Sequence, residues 1–433
     1  MTVAAPRPPP RDQEFGMEFY GSSTPGVGGR TKGSPDDFRV EEISNYPIPD
    51  PAGSYTVLRV ESRDWEQHEL GAAIARRLGI PAASVQWAGT KDRRAVTERL
   101  LSYRGPPPTG ELGLPRVTVI ERYIARDGLV LGHHFGNAFD VRVDELSLPV
   151  DAAMDAYRAT ERELRSVGHW PNFFGPQRFG EVRPVTHEVG RQLVQGDIAG
   201  AVETYLVARP PGTPDGIGDD ARATYGATHD AVRALREFPG HYRFERALLE
   251  RLARGDPPER AIRALSRELR LLFVHAYQAL LFNRWLSRRH AAGLPFDRPI
   301  PGDRLLRIGR DGTVRSQEGI PVETDNIAEC TELLRRQGAW LAGPLVGYET
   351  PIAEGAAGEL LQKLLEEEGV ERSAFRLASL PEVASKGAWR PATLPVPPLG
   401  LERAPEAVRF RFALPKGAYA TVLLREFLKT GSA

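Results

Sequence analysis

The sequence predicts a mixed α/β (α+β) protein in which a helix-rich segment interrupts a strand-rich one. Over the first ~145 residues, polar and apolar residues alternate in several short runs, as they do in half-buried strands. The middle of the chain carries helical spacings that end at glycines, and another alternating run follows near the C-terminus. This order favours one domain inserted into another, with the last ~45 residues returning to the first sheet.

The N-terminal segment contains most of the predicted strands. Residues 1–30 are rich in proline and glycine and predict a flexible tail. A helix is expected over Glu69–Leu78, because its apolar spacing is helical and Gly79 follows it. The predicted strands are residues 38–43, 55–60, 85–88, 98–103, 117–124, 129–131 and 139–143.

The rest of the chain is expected to be mainly helical until its last residues. A helix over Asp151–Ser166 would take Asp151 as its N-cap. Apolar residues at helical spacing over Leu269–Leu280 predict another helix, and Glu359–Glu368 predicts a third that Gly369 ends. Residues 409–414 alternate like a strand, and residues 419–429 fit either a helix or a strand.

Composition narrows the class of protein. The chain has 433 residues, is 41% hydrophobic and 26% charged, and therefore resembles a globular protein of about two domains. Its one cysteine, Cys330, cannot form a disulfide within the chain, which is compatible with a reducing cytoplasm. A formal net charge of zero argues against a wholly basic nucleic-acid binder but permits a basic cleft. No apolar run is long enough for a membrane span.

Three familiar motifs are incomplete. The segment 26–32 resembles a phosphate-binding loop, but Thr31 stands where that motif needs glycine. Two His-Glu pairs, at 68–69 and 187–188, begin like zinc-protease helices, but Ala72 and Arg191 occupy the place of the second histidine. Neither His-Glu pair is therefore expected to bind a metal.

Asp92 is the strongest candidate for a reactive side chain. It lies among Lys91, Arg93 and Arg94, directly after a predicted buried strand and a Gly-Thr turn. Neighbouring cations would hold its carboxylate ionised and available as a nucleophile or base. The alternative is an ordinary ion pair on the surface, which is how most charge clusters are used.

Other side chains could form a nucleobase site around this acid. Phe38 and Phe139 offer aromatic faces for stacking, and the amide of Asn137 could bind a planar polar edge. Lys32 is one of only six lysines among 57 basic residues and could supply a cation to the acid. The alternative is that both phenylalanines are core residues of strands.

Six segments resemble the TruD family of pseudouridine synthases and occur in the order of that family. They span residues 24 to 429, and the HAYQ segment is similar to the archaeal and eukaryotic branch. The segments are TPGVGGRTKGSPDDFRVEEI, WAGTKDRRAVTERLLS, GNAFDVRV, NFFGPQRFG, FVHAYQALLFNRWL and LPKGAYATVLLREFL.

The resemblance implies both an architecture and an activity. A pseudouridine-synthase sheet domain would comprise residues 31–167 and 388–433, with a TRUD-type α/β domain inserted over residues 168–387. The two domains would form a cleft for RNA. Members isomerise uridine to pseudouridine in RNA without cofactor or metal, and bacterial members act on the D arm of tRNA. A cytoplasmic monomer is expected.

The resemblance also assigns roles to residues. The catalytic aspartate falls on Asp92 and its partner lysine on Lys32. Phe139 would pack on the target base, with Phe38, Asn137 and Tyr419 in contact with substrate. Tyr419 departs from the bacterial pattern, which has phenylalanine there. The expected RNA-binding residues are Lys91, Arg93, Arg178, Arg390, Lys416 and Arg425.

Two other functions remain open at this stage. One is a catalytically silent RNA-binding protein or RNA chaperone on the same fold. The other is an unrelated phosphoryl enzyme that uses the glycine-rich loop near Gly28. An assay for turnover distinguishes the first alternative from a pseudouridine synthase, and a test of nucleotide binding distinguishes the second.

Overall fold

A computed structural model describes residues 6–89, 94–180, 182–216, 218–309, 312–316 and 318–430. The strands are β1 Gly28–Arg30, β2 Phe38–Ile43, β3 Tyr55–Arg63, β4 Gln86–Trp87, β5 Val96–Arg104, β6 Val117–Ala125, β7 Gly136–Leu146, β8 Trp170–Pro171, β9 Arg304–Arg307, β10 Ile320–Pro321, β11 Ala339–Leu345, β12 Ala388–Pro391, β13 Thr393–Leu394, β14 Gly400–Ala404 and β15 Ala407–Pro415. The helices are α1 Pro10–Glu14, α2 Gln67–Leu78, α3 Val150–Val167, α4 Thr186–Gln195, α5 Ile198–Val207, α6 Asp219–Thr228, α7 Ala231–Glu237, α8 Arg243–Ala253, α9 Pro258–Ala261, α10 Arg267–Ala291, α11 Ile327–Arg335, α12 Ala356–Glu367 and α13 Ala420–Leu428.

Both ends of the chain contribute strands to one large sheet. Its order is β14-β15-β7-β2-β5-β3-β6, with β1 paired to β7 and β4 paired to β5. The pairing of β2 with β5 is parallel, and the other pairings are antiparallel. The strands after residue 400 therefore lie beside β7 and complete the sheet that the N-terminal segment begins. The mixed α/β fold class is confirmed.

The large sheet buries one face in the core; its other face is exposed along β2, as the alternation there predicts, but is covered where Val57, Leu100 and Ala125 pack with Ala88 and Leu129. In β2, Phe38 and Val40 are buried while Arg39 and Glu41 are exposed. The core face packs against α3 and α13, where the ring of Tyr157 lies 4.9 Å from that of Phe410. The solvent face carries ion pairs between strands, so its charges are satisfied at the surface.

The helix-rich segment surrounds α10, which is buried along most of its length. Helix α4 packs so closely on α10 that a Cβ at Gly190 would lie 2.0 Å from the carbonyl oxygen of Phe273. A second sheet, β10-β9-β11-β12, packs on the opposite side of α10, where Gly343 allows Trp285 to approach the strand. One hydrophobic cluster joins these elements to the large sheet. Within the described residues, no helix has the length and apolarity to cross a membrane.

The expectation of a flexible tail over residues 1–30 is wrong for the segment that begins at Pro10. Helix α1 is followed by Phe15 and Met17, which are 1% and 0% exposed, and Gly28–Arg30 forms a strand. The aromatic and apolar residues between the prolines and glycines find partners in the core, among them Phe179, whose ring stacks on Phe15 at 4.6 Å. Proline and glycine content alone therefore misjudged this segment.

Two local predictions are also wrong. Asp151 is not an N-cap, because Pro149 occupies that position and Asp151 instead pairs with Arg403. Residues 129–131 form no strand: Leu129 is buried, and its amide donates to the side-chain hydroxyl of Ser102 in β5 rather than to a backbone carbonyl oxygen. The strand predicted over residues 38–43 has the same bounds in the structure, the remaining predicted strands and helices are present with shifted ends, and residues 420–428 are helical.

Candidate active site

A cleft of about 830 Å³ opens between the core face of the large sheet and the second sheet. Its walls come from β2 and β7, from the loop that follows β8, from β11 and β12, and from the turn before α13. The lining includes Phe38, Val40, Ala88, Gly89, Asn137, Phe139, Arg178, Trp340, Trp389, Arg390, Lys416 and Tyr419. Residues that lie far apart in the sequence therefore meet at one cleft.

Strands β2 and β7 place two aromatic rings and an amide on the same face. Asn137 and Phe139 are two residues apart on β7, and Phe139 lies opposite Val40 of β2. The rings of Phe38 and Phe139 meet edge to face, with centroids 6.0 Å apart. Phe139 also stacks on Phe412 at 5.4 Å. Both phenylalanines are thus buried in the core and also line the cleft, so the two interpretations of them are compatible.

Asn137 carries an unsatisfied polar atom. Its Oδ1 is buried and has no hydrogen-bond partner among the described residues. A buried polar atom without a partner costs about 1–3 kcal/mol, so such an atom in a cleft suggests a ligand. A nucleobase edge that donates a hydrogen bond would satisfy it.

Lys32 lies in a strained turn and contacts Phe38, a residue that lines the cleft. Its φ of 57° lies in the left-handed region, which is uncommon for residues other than glycine and costs about 1–3 kcal/mol. The turn is fixed on one side by β1 and on the other by the amide of Ser34, which donates to Asp37 Oδ2 at 2.6 Å. Lys32 Nζ lies 4.5 Å from the ring centroid of Phe38, within range of a cation–π interaction.

The described residues nearest to Asp92 in the chain, Gly89 and Arg94, lie at the cleft and beside the Lys32 turn, respectively. Residues 90–93 are outside the described part of the chain, so Lys91, Asp92 and Arg93 are not placed. Gly89 lines the cleft. Arg94 Nη2 donates to the carbonyl oxygen of Gly33 at 2.9 Å, next to Lys32.

The opposite wall of the cleft contains a buried arginine between aromatic rings. The guanidinium carbon of Arg390 lies 4.0 Å from the ring centroid of Phe174 and 6.0 Å from that of Tyr419. Burial lowers the pKa of Arg390 to about 10, so the side chain is still charged at neutral pH. Its Nη2 donates to Oδ1 of Asn172 at 2.8 Å. Tyr419 lies directly before α13, where the helix begins.

Arg178 and Lys416 are placed to meet an anion in the cleft. The Nε of Arg178 is buried without a hydrogen-bond partner in the parts of the chain that are described. Burial, together with the positive charge of Arg178, lowers the pKa of His275 to about 4, so that imidazole is neutral at pH 7. Lys416 Nζ donates to the carbonyl oxygen of Gly132 at 2.8 Å and lies at the exposed rim.

Arg425 does not reach the cleft. Its side chain is 6% exposed, forms an ion pair with Asp12, and donates to the carbonyl oxygens of Met17 and Phe19. The guanidinium is fully used in holding the N-terminal segment. We therefore leave Arg425 out of any RNA-binding surface.

Sequence analysis missed residues that orient the cleft from behind. Asn283 of α10 is fully buried; its Oδ1 accepts from the amide of Phe174 at 2.8 Å, and its Nδ2 donates to the carbonyl of the same residue. This pair of bonds fixes the ring on which Arg390 stacks. A polar residue within the apolar run ALLFNRWL was the available signal. Among the described residues, no cluster of three or more His, Cys, Asp or Glu side chains is arranged to bind a metal.

The family model and the relatives that match this chain carry the same description. A family model described as "tRNA pseudouridine synthase D (TruD)" matches residues 14–427. A Halobacterium salinarum protein named as a probable tRNA pseudouridine synthase D is 37% identical over 435 residues, covering 97% of this chain and 98% of the relative. A protein of the same name from Thermococcus onnurineus is 37% identical and covers 96% of this chain and 99% of the relative.

A solved structure has the same overall fold. It is the crystal structure of a protein assigned as tRNA pseudouridine synthase D from Methanosarcina mazei. The two chains superpose with a TM-score of 0.82 at 31% sequence identity. The match covers 100% of this chain and 99% of that one.

Proposed function

Because the chain belongs to the TruD family of tRNA pseudouridine synthases, we propose that it isomerises one uridine of tRNA, in the D arm, to pseudouridine. The observation that carries this proposal is the cleft: Phe38, Asn137 and Phe139 line it, Lys32 lies against the Phe38 ring, and Arg94, two residues after Asp92, bonds to the Lys32 turn. We assign the catalytic carboxylate to Asp92 and its cationic partner to Lys32.

The reaction conserves every atom of the nucleoside. The N1–C1′ bond breaks, the detached uracil turns, and a C5–C1′ bond forms. The proton on C5 is lost and N1 gains a proton, so the product is an isomer and no oxidant or group donor is consumed. Asp92 would either attack C1′ or remove the proton from C2′, and both roles require the ionised carboxylate.

Lys32 would keep that carboxylate ionised in a closed cleft. Exclusion of water raises the pKa of a carboxyl group, whereas a nearby cation lowers it. The turn around Lys32 is linked to the chain beside Asp92 through Arg94 and Gly33. This link supports a fixed distance between the cation and the acid.

The aromatic rings and the amide would retain the detached base. Phe139 offers a surface for stacking, and the unsatisfied Oδ1 of Asn137 would accept the N3–H of uracil. Phe38 supports Phe139 from the edge, and the Tyr419 ring lines the opposite wall. Together these groups would hold the base while it turns.

Contacts to phosphates would offset the cost of extruding the nucleotide. Taking a base out of its stack costs a few kcal/mol. Arg178 and Lys416 line the cleft and are the candidates for phosphate contacts, while Arg390 orients the wall behind them. Lys91 and Arg93 remain predicted RNA contacts.

Pseudouridine formation by the purified protein tests the proposal. tRNA transcripts would be incubated with the protein and each pseudouridine mapped by chemical labelling and reverse transcription. We expect a single labelled uridine in the D arm, and no label when that uridine is replaced by cytidine. Tight binding of transcripts without any pseudouridine would instead favour the catalytically silent RNA-binding alternative.

The proposal extends to the domains, the oligomeric state and the compartment of the protein. We propose that the catalytic domain comprises residues 31–167 and 388–433 and that residues 168–387 form the inserted TRUD-type domain. Three strands of the second sheet, β9, β10 and β11, belong to the proposed insertion, and β12 directly follows its last residue. A monomer that acts in the cytoplasm without cofactor or metal remains our prediction.

A further inference from the structure

The second sheet presents aromatic and cationic side chains on one face. Antiparallel pairing places Arg304 opposite Ala342, and Pro344 opposite Trp389. Since side chains of paired residues and of residues two apart share a face, these four point the same way. Trp340, two residues before Ala342, joins them. Uridine isomerisation, as proposed above, gives this face no role.

This face extends from the cleft into a second cavity. Trp340 and Trp389 line the cleft described above. Trp389 also lines a separate cavity of about 410 Å³, together with Arg304 of β9 and Ala357 and Leu361 of α12. That volume lies within the usual range for small-ligand sites, about 300–1,000 Å³. A molecule in the cleft could therefore place a neighbouring group in this cavity.

Arg304 and Trp389 form a stacked pair at the junction of the two cavities. The guanidinium carbon lies 4.9 Å from the centroid of the indole ring. Arg304 Nη1 also donates to the carbonyl oxygen of Glu318 at 2.8 Å, which fixes the plane of the guanidinium. Aromatic rings and arginine planes are the surfaces on which unpaired bases of RNA stack.

The charges around the second cavity favour a base over a phosphate. Glu323 and Glu354 line it and are exposed, so a phosphate there would meet two carboxylates. Arg178 and Lys416 line the first cleft instead. The sugar-phosphate chain would therefore stay in the first cleft, and only a base would enter the second cavity.

We propose that the second cavity binds the base of an unpaired nucleotide that lies near the target uridine in the same RNA. This inference rests on the proposed function, because the RNA must first occupy the cleft. The site would fix the register of the RNA strand, so that one uridine rather than its neighbour reaches Asp92.

Filling the cavity tests the proposal. Ala357→Phe would place a ring in the space, and Lys363→Phe, on the exposed side of α12, is the matched control. The probes are tRNA transcripts with one abasic nucleotide, moved through each unpaired position near the target uridine. Dissociation constants would be measured for both variants and the wild type, with thermal unfolding as a check of folding. If Ala357→Phe does not fold, Arg304→Met replaces it.

We expect one abasic position to weaken binding by the wild type about 10-fold, the usual scale for one stacked base. Ala357→Phe should bind the intact transcript about 10-fold more weakly and show no further loss at that position, whereas Lys363→Phe should behave as wild type. Equal abasic penalties in the wild type and Ala357→Phe, or none in the wild type, would overturn the proposal. Pseudouridine is scored separately at saturating RNA, and its absence would count against the proposed function alone.

Discussion

The backbone conformation of Lys32 determines where its side chain lies. A lysine in the left-handed region is strained, and a glycine at this position would avoid the strain. The surrounding turn holds Lys32 in this conformation, with Nζ against the face of Phe38. Strained residues of this kind cluster at functional sites, which agrees with the role that we propose for Lys32.

Removal of the Lys32 charge should impair turnover much more than binding. We expect Lys32→Ala to lower kcat by at least about 100-fold and to move the acidic limb of the pH–rate profile upward, because the carboxyl group of Asp92 loses its cation. Lys32→Arg should retain part of the activity. Lys386→Ala is the control, since Lys386 is exposed and pairs with Glu349 at 3.5 Å. A wild-type rate and profile for Lys32→Ala would exclude the ion-pair role.

The sequence could identify site residues only where the local pattern is distinctive. Phe38, Asn137 and Phe139 follow strand alternation and line the cleft as expected. Arg425 also fitted an RNA-binding pattern, but it is buried against the N-terminal segment. Its partner Asp12 is more than 400 residues away in the chain, and no local pattern reveals such a contact.

Among the elements of the site, one hydrogen bond links the Lys32 turn to the segment that leads into β5. Arg94 directly follows the residues around Asp92 and donates to Gly33 in the Lys32 turn at 2.9 Å. Strands β1 and β5 do not pair with each other, so this bond is a direct link between the loops that they carry. Arg94 is thus a positioning residue.

Loss of this link should reduce kcat and leave KM nearly unchanged. We expect Arg94→Ala to lower kcat about 10-fold, because the distance between Lys32 and Asp92 is no longer fixed. Arg94→Lys should recover part of the loss. Arg104→Ala, at the far end of the strand β5 that Arg94 precedes and also exposed, serves as control. A change in KM alone would mean that Arg94 binds RNA phosphate rather than positioning the loops.

Elements with strict periodicity were predictable, whereas elements shaped by distant contacts were not. The alternation of residues 38–43 gives β2 with the same bounds in the structure. Residues 129–131 are apolar like a strand, but the amide of Leu129 bonds to a side chain of β5 instead of its backbone, and only Leu129 is buried. The segment around Phe15 was misjudged because its partners, such as Phe179, lie far along the chain.

For the molecule as a whole, the C-terminal helix clamps the N-terminal segment. Glu426 is fully buried, and its Oε2 accepts from the amide of Gly21 at 2.7 Å. Lys429 Nζ donates to the carbonyl oxygens of Ser22 and Thr24. Because α13 begins beside Tyr419 in the cleft, this clamp also supports one wall of the site.

The clamp should make stability depend on pH. Burial raises the pKa of Glu426 to about 7, above its ordinary value of 4.5, so its stabilising contribution is complete below about pH 4.5 and is lost as pH rises through 7. The difference in midpoint urea concentration, wild type minus Glu426→Gln, should therefore decrease as the pH rises from 5 to 7. Burial lowers the pKa of Lys429 to about 8, below its ordinary value of 10.5. Its stabilising contribution is therefore complete above about pH 10.5 and is lost as pH falls through 8.

The control for this measurement is Glu111→Gln, at an exposed position far from the clamp. The wild type and this control should show parallel midpoints over the same pH range. If the difference between the wild type and Glu426→Gln also stayed constant from pH 5 to 7, the buried carboxyl group would not titrate in this window.

Asp92 is proposed to carry the chemistry, and turnover by Asp92→Asn measures that role. Pseudouridine formation and tRNA affinity would be measured for the wild type, Asp92→Asn and the control Asp151→Asn, whose carboxylate pairs with Arg403. We predict that Asp92→Asn loses at least about a thousand-fold in rate while its dissociation constant for tRNA changes less than about 3-fold. Asp151→Asn should remain active. A rate for Asp92→Asn close to that of the wild type would contradict the account.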